Sequence, residues 1–295
     1  MNKLTVATIA FMFPFFINSP AIAQTQKIYD PQINPVNFTA EITNKYFTLK
    51  PGKKLIYEGQ TEDGLERIEI LITDETKNIM GVETLVYWDK VWLDDVLIED
   101  TRDYLAQDKE GNVWYFGEDV DNYENGVLAD HDGSWIAGVD GAKPGIWMEA
   151  NPQVGDSYRQ EYYKGEAEDM AEVLAINETV AVPYGTYTDC VKTYDWTPLD
   201  PTAKEHKYYC SEVGGLVLEV NLNNDEKVEL VDLKTETVGE TTPVEQIDEP
   251  EDNLVNNDPY VEDTANSLGS ISVIAIILLL IGSVVGVYAF VKLRK

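Results

Sequence analysis

Arg67-Ile68-Glu69-Ile70-Leu71-Ile72-Thr73 decides the fold. Apolar and polar residues alternate there with period two, which puts Ile68, Ile70 and Ile72 on one face, as a half-buried strand requires. Outward from this run, β-rich stretches recur at 84–89, 96–105, 113–117, 158–163, 173–182, 187–196, 207–210, 216–221 and 227–233. Turn chemistry separates them: Glu62-Asp63-Gly64, Asp94-Asp95, Lys109-Glu110-Gly111-Asn112, Asn125-Gly126, Pro183-Tyr184-Gly185 and Asn223-Asn224-Asp225. Many short strands at close spacing predict a mainly β fold. The antiparallel meander they form can close as a barrel, curve as a half-barrel or fold as a sandwich. Ala167, Met170, Ala171 and Leu174 are spaced for one short helix over 166–174, a stretch that equally suits the start of a long strand. The stretch 132–157 breaks the pattern with five glycines and two prolines and reads as a long structured loop. Loops of that length inside a compact domain are the first place to look for a site.

The two ends of the chain read differently. Lys3, the apolar run Leu4 to Ile17 and the small residues Ala21-Ile22-Ala23 make residues 1–23 a signal peptide. Residues 24–44 are polar, with Pro31 and Pro35, and read as an extended leader. The core-forming hydrophobics lie in 45–234, a length that suits one β-rich extracellular domain. Residues 235–270 hold ten acids, no Lys or Arg, and three prolines. Such a segment cannot bury enough apolar surface to order itself and is expected to be a disordered acidic stalk. Residues 271–291 carry no charge and are long enough to cross a hydrocarbon layer as a transmembrane helix. Lys292, Arg294 and Lys295 in the tail 292–295 keep that end cytoplasmic, so the domain is expected on the outside of a single-pass membrane protein.

All 53 acids lie between the signal and the anchor, and the whole chain has a formal charge of −31. A field of that sign repels nucleic-acid phosphates and anionic headgroups, which excludes partners of those classes and leaves the membrane contacted through the C-terminal helix alone. The only two cysteines, Cys190 and Cys210, fall in a compartment where disulfides persist and are expected to pair. A closed loop of this length contributes roughly 3 kcal/mol in the chain-entropy picture.

Candidate chemistry is sparse. His131, in Asp130-His131-Asp132, has a carboxylate on either side and could join a metal with a third ligand from elsewhere, although a polar loop tip is the ordinary reading. Asp119, Asp121 and Glu124 are hard oxygen donors of the kind that suit Ca2+, but the run lacks the EF-hand spacing and fits a hydrophilic hairpin at least as well. No other cofactor is implied. Trp135 and Trp147, in the glycine-rich stretch, are the aromatics best placed to stack on a sugar ring if they are exposed; as core residues they carry no such role. Asn37-Phe38-Thr39 and Asn177-Glu178-Thr179 are glycosylation sequons.

Asn151-Pro152-Gln153-Val154-Gly155-Asp156-Ser157-Tyr158-Arg159-Gln160-Glu161-Tyr162-Tyr163 resembles a family of uncharacterised secreted bacterial β-rich proteins. The likeness extends through 107–119, Gly141 to Gly145, Val182 to Thr186, Glu205 to Tyr209 and Gly215 to Glu219. It implies an exported β-rich domain and brings no assigned activity. The family pattern has a small residue where Cys210 stands, so the bridge is not a shared feature, and the C-terminal anchor is peculiar to this relative.

The sequence is therefore read as a non-enzymatic cell-surface protein with a binding or envelope-structural role. The rival readings are a surface hydrolase that uses paired carboxylates on glycans and a carrier of an apolar ligand in the envelope. Geometry separates the three. A carboxylate pair in a cleft favours the hydrolase and an apolar concavity the carrier, while a filled core favours the first.

Overall fold

The computed structural model describes residues 29–237. The signal peptide, nearly all of the stalk, the transmembrane helix and the basic tail lie outside the described residues. Among the described residues no helix is long and apolar enough to cross a membrane.

After a short 3-10 turn at Pro35–Asn37 come three two-residue strands, β1 (Phe38–Thr39), β2 (Ile42–Thr43) and β3 (Thr48–Leu49). A first meander follows: β4 (Lys53–Gln60), β5 (Leu65–Ile79), β6 (Val82–Leu93), β7 (Val96–Asp108) and β8 (Val113–Glu124). Short pieces then pack along its edge: β9 (Val127–Asp130), β10 (Trp135–Ile136), β11 (Lys143–Met148), β12 (Ser157–Arg159) and β13 (Glu161–Tyr162). The second meander is β14 (Met170–Val182), β15 (Gly185–Thr197), β16 (Asp200–Cys210), β17 (Gly215–Asn221) and β18 (Lys227–Thr235).

Alternation sets the register. Ile68 on β5 lies opposite Tyr57 on β4 and Val91 on β6, all three buried, so one face of each strand turns inward together. The turn residues do what their chemistry allows: Asn125 and Gly126 take φ of 53° and 77°, and Asp94 and Asp95 take 47° and 66°, as tight hairpins that follow the strand twist demand.

The two meanders join where β18 pairs with β4, Leu230 opposite Tyr57, so a single sheet runs in the order β12-β14-β15-β16-β17-β18-β4-β5-β6-β7-β8-β11-β13. Its two edge strands, β12 and β13, are consecutive in the chain. Tyr158 pairs with Ala171 on β14 while Glu161 pairs with Pro144 on β11, and the Gln160 N–H between them donates to the Asp169 carbonyl at 2.8 Å. One short segment thus stitches both edges, and the sheet is a nearly closed barrel rather than a sandwich. Gly145 is needed at this seam, because a Cβ there would lie 2.2 Å from the Gln160 carbonyl oxygen.

The hairpin of β2 and β3 lies off this sheet. Its linking residue Phe47, 2% exposed, packs against Tyr87, Trp147 and Tyr209 with ring centroids 5.4 to 6.1 Å apart. Asn44 fastens it by donating to the carbonyls of Gly111 and Glu149 while its own Oδ1 accepts the N–H groups of Tyr46 and Phe47. One open alternative is decided here and two expectations are corrected. Residues 166–174 are no helix: after a bridge between Tyr163 and Ala167, β14 begins at Met170, because cross-strand partners on β15 offer more burial than nine isolated residues could gain as a helix. The stretch 132–157 is not only loop, since β10 and β11 both pair with β8. The second half of the leader is also part of the fold, with Phe38 opposite Asp108 on β7.

Candidate functional site

Inside the barrel the buried face is not simply apolar. On β5, Glu66 is in phase with Ile68, Ile70 and Ile72, and on β6 Asp89 lies between the buried Tyr87 and Val91. β7 adds Glu99 and Asp103, and β8 adds Glu118. From the closing segment comes Glu161, and just before β14 comes Asp169. The second meander contributes Asp195, Glu205 and Glu219 on three adjacent strands. Each of these carboxyls belongs to a residue no more than 5% exposed.

One ammonium answers them in the second meander. Lys207, 4% exposed, lies opposite Glu219 and holds its Nζ 3.4 Å from Glu205 and 3.6 Å from Glu219. Those separations are long for charge-assisted hydrogen bonds. Burial alone would push this ammonium down, but Glu219, Glu205 and Asp195 around it hold it well above its ordinary value. Lys53, the other largely buried lysine, donates to the carbonyls of Thr48, Val213 and Gly214, and burial brings it down to about 8.

The first meander has no such counter-ion: β5 to β8 carry no Lys, Arg or His on the buried face, because Arg67, Lys77, Lys90 and Arg102 all point outward, where they pair with Glu58, Glu69, Asp119 and Asp100. Loss of water therefore dominates. Burial, with neighbouring carboxylates adding to it, raises Glu66 to about 8 and Asp89 well above the ordinary carboxylate range. Burial likewise raises Glu99 to about 7 although the Thr101 hydroxyl donates to it at 2.7 Å, and Asp103 to about 7 although the Tyr115 hydroxyl donates to it. Glu161 and Glu219 are pushed well up for the same reason. Oε1 of Glu66 and Oδ1 of Asp89 are buried and accept no hydrogen bond among the described residues. Chemically, the interior can keep protons or accept cations. It cannot hold all its carboxylates ionised and dry.

The residues singled out from sequence lie elsewhere. Asp119 and Asp121 project from the outer face of β8: Asp119 takes the Lys77 ammonium at 2.6 Å and the Tyr104 hydroxyl, which outweigh burial and hold it below its usual range. Asp121 pairs with His131, whose Nδ1 is also 3.0 Å from the Val120 carbonyl; that backbone contact first, then Asp121, raises the imidazole. Asp130 accepts from Asn122 and from the Asp132 N–H, and Glu124 is exposed at the hairpin. These groups satisfy one another, and among the described residues no three His, Cys, Asp or Glu side chains converge closely enough to hold a metal as they stand.

Trp135 and Trp147 are each 3% exposed, both packed edge-on against Tyr115, and are too buried to stack on an external sugar. Trp135 Nε1 donates to Glu118 at 3.2 Å. Cys190 and Cys210 form a disulfide directly across β15 and β16. Asn177 is exposed on β14 with φ of 59°, and Asn37 is half-buried at the end of the 3-10 turn. The interior acids were missed by sequence reasoning, yet Glu66 and Asp89 carried a signal: each stands in phase with the buried apolar positions of its strand, where a solvated acid belongs out of phase. Compared with known protein families, curated proteins and solved structures, the chain shows no match.

Proposed function

We propose that this chain is a non-enzymatic, surface-displayed binding protein whose acid-lined barrel interior receives a cationic ligand. The observation that carries the reading is the imbalance inside the barrel: acids on β5 to β8 with no base on the same buried face, and buried carboxylate oxygens that accept no hydrogen bond. An apolar ligand there would leave those oxygens desolvated without a partner, which costs several kcal/mol by transfer estimates of about 1–3 kcal/mol per group. Glycan hydrolysis by paired carboxylates needs the pair beside a groove open to a sugar chain, whereas these carboxyls line the inside of a wall that one chain segment closes. The expected membrane anchor would present the barrel on the outer side of the membrane, where inorganic and organic cations are met directly.

A ligand panel on the full-length protein in detergent at pH 7.5 tests the reading by thermal unfolding. Ca2+, Mg2+ and spermidine supply cations; sulfate, decanoate and a neutral oligosaccharide supply the other classes. Binding to the native state at 100 times Kd adds about 2.7 kcal/mol, or roughly 5–10 °C for a domain of this size. At least one cation should raise the midpoint by that order. Shifts confined to decanoate or the oligosaccharide, or none, contradict the reading.

A further inference from the structure

We propose that Lys207 and Glu219 are the two halves of an autocatalytic cross-link: Nζ of Lys207 condenses with the side-chain carboxyl of Glu219 into an amide between β16 and β17, with Glu205 as the base. The inference goes beyond the cation-binding reading and stands on the second meander rather than the first.

Register sets the partners. Lys207 on β16 lies directly opposite Glu219 on β17, and Glu205 stands two residues before Lys207 on the same inward face. Opposite side chains start about 4.5–5.5 Å apart at Cβ, a gap that a lysine stem and a glutamate stem joined end to end span without moving either strand. The three residues are also dry, each no more than 4% exposed. As an ion pair, moreover, the contact is incomplete: Nζ stops 3.4 Å from Glu205 and 3.6 Å from Glu219, where a charge-assisted hydrogen bond closes to about 2.7–2.9 Å. Both carboxyl oxygens of Glu205 and Oε2 of Glu219 are buried and accept no hydrogen bond among the described residues. A buried pair that only stabilises needs its lone pairs satisfied, whereas reacting groups are held in contact and left unsaturated.

Each group has the protonation state its role needs. Burial first, then Glu205 beside it, holds the Glu219 carboxyl well above the ordinary carboxylate range, so it enters as the neutral acid, the electrophilic form. Burial raises Glu205 too, but Lys207 draws it back, so Glu205 is the carboxylate in contact with the ammonium. Asp195, on β15, is the further acid near Lys207, raised by burial and drawn back in the same way. These acids hold the ammonium proton firmly, which makes its removal the slow step. In that step the ammonium gives one proton to Glu205, and the lone pair freed on Nζ forms the N–C bond to the Glu219 carboxyl carbon. The C–OH bond then breaks, and the hydroxyl leaves as water with a second proton from the nitrogen. A neutral amide, a protonated Glu205 and one water result, so one positive and one negative charge disappear from a dry interior. Reactants fixed side by side have an effective concentration on the order of 10^5 M or more, which favours a condensation that a dilute acid and amine do not undergo. The pairing of Lys207 with its acids described above is the arrangement from which the bond closes.

The experiment weighs the peptides of the full-length protein after denaturation, reduction and digestion with trypsin. An amide on Lys207 blocks cleavage after it, so residues 205–227 should appear as one peptide about 18 Da, one water, lighter than its sequence. Further cleavage after Glu212, between the two linked residues, should leave the pieces joined. Cleavage after Lys207 with no mass deficit overturns the proposal, and so does a deficit whose pieces separate once the chain is cut at Glu212. Lys207→Arg keeps the charge and cannot condense, so its digest should show no deficit and its thermal midpoint should fall below the parent's. A deficit that persists in it places the lost water elsewhere and overturns the proposal. Glu205→Gln keeps both reactants and removes the base, and the linked peptide should then form at least about a hundredfold more slowly. Linking at the parent's rate would overturn the role of Glu205. None of these readings depends on the ligand panel, so the cross-link and the cation-binding reading stand or fall separately.

Discussion

At the scale of single residues, Lys207 shows what the interior demands of its side chains. It is the one ammonium that faces the acids of the second meander, and three carboxylates hold its proton against the pull of burial. Removing it leaves Glu205 and Glu219 buried without a counter-charge, and breaking a buried pair in this way costs about 3–5 kcal/mol. Lys207→Met should therefore lower the urea midpoint strongly at pH 8 and less at pH 5, where protons neutralise the carboxylates, and Glu219→Gln added to it should recover part of the loss. A neutral Lys207→Met at pH 8 would contradict the arrangement. The residue scale is also where sequence legibility was uneven. Cys190 and Cys210 could be paired by count and compartment alone. Trp135 and Trp147 drew attention because glycines surround them, but Gly145 serves close backbone approach, Gly133, Gly138, Gly141 and Gly155 take positive φ, and the indoles fill the core. Glu66 and Asp89 were legible only by phase, because each falls in step with the buried positions of its strand, Ile68 and Val91.

Among elements, the long strands were legible because their alternation is regular and their turns carry the right residues, Asn125-Gly126 above all. The short ones were not. β10, β12 and β13 are two or three residues long and exist only because β8, β11 and β14 supply partners, so no local period marks them. At 166–174, open from sequence between a helix and the start of a long strand, Met170, Ala171 and Leu174 at helical spacing belong to the start of β14. Barrel closure also lay beyond local pattern, since it depends on one segment pairing with strands on both sides of it in sequence. The hairpin of β15 and β16 carries an independent test, because its disulfide closes a loop with a sequence separation of 20. Replacing both cysteines by serine should lower stability by about 3 kcal/mol, or roughly 6–12 °C in melting midpoint, without loss of β content by circular dichroism. An unchanged midpoint would mean that the hairpin is already fixed by its ladder and that the bridge adds nothing.

Over the whole molecule, acidity has two roles that composition merged. The outer acids, such as Glu58, Glu69, Asp100 and Asp119, pair with lysines and arginines on the surface of the barrel. Those on the inner face of the first meander are held up by burial, with Glu66 at about 8 and Glu99 and Asp103 at about 7. In the unfolded chain the same groups titrate near 4. Between these values the native state binds more protons than the unfolded state, so its stability is full below about pH 4 and falls as pH rises toward 8, by about 1.4 kcal/mol per pH unit for each proton retained. Glu69, Asp119 and Asp189, held low by their partners, act in the other direction and lose their contribution only as pH falls below about 4. The two histidines oppose one another, His131 being raised and His206 lowered. The most direct measurement is the thermal unfolding midpoint of the metal-free full-length protein between pH 4.5 and 8.5, with proton uptake followed by calorimetry in buffers of different ionisation enthalpy. A protonated interior predicts a midpoint that falls steadily from pH 5 to pH 8 and unfolding that releases more than one proton near pH 6. A midpoint that is flat or rises over that interval, with no proton release, would contradict it.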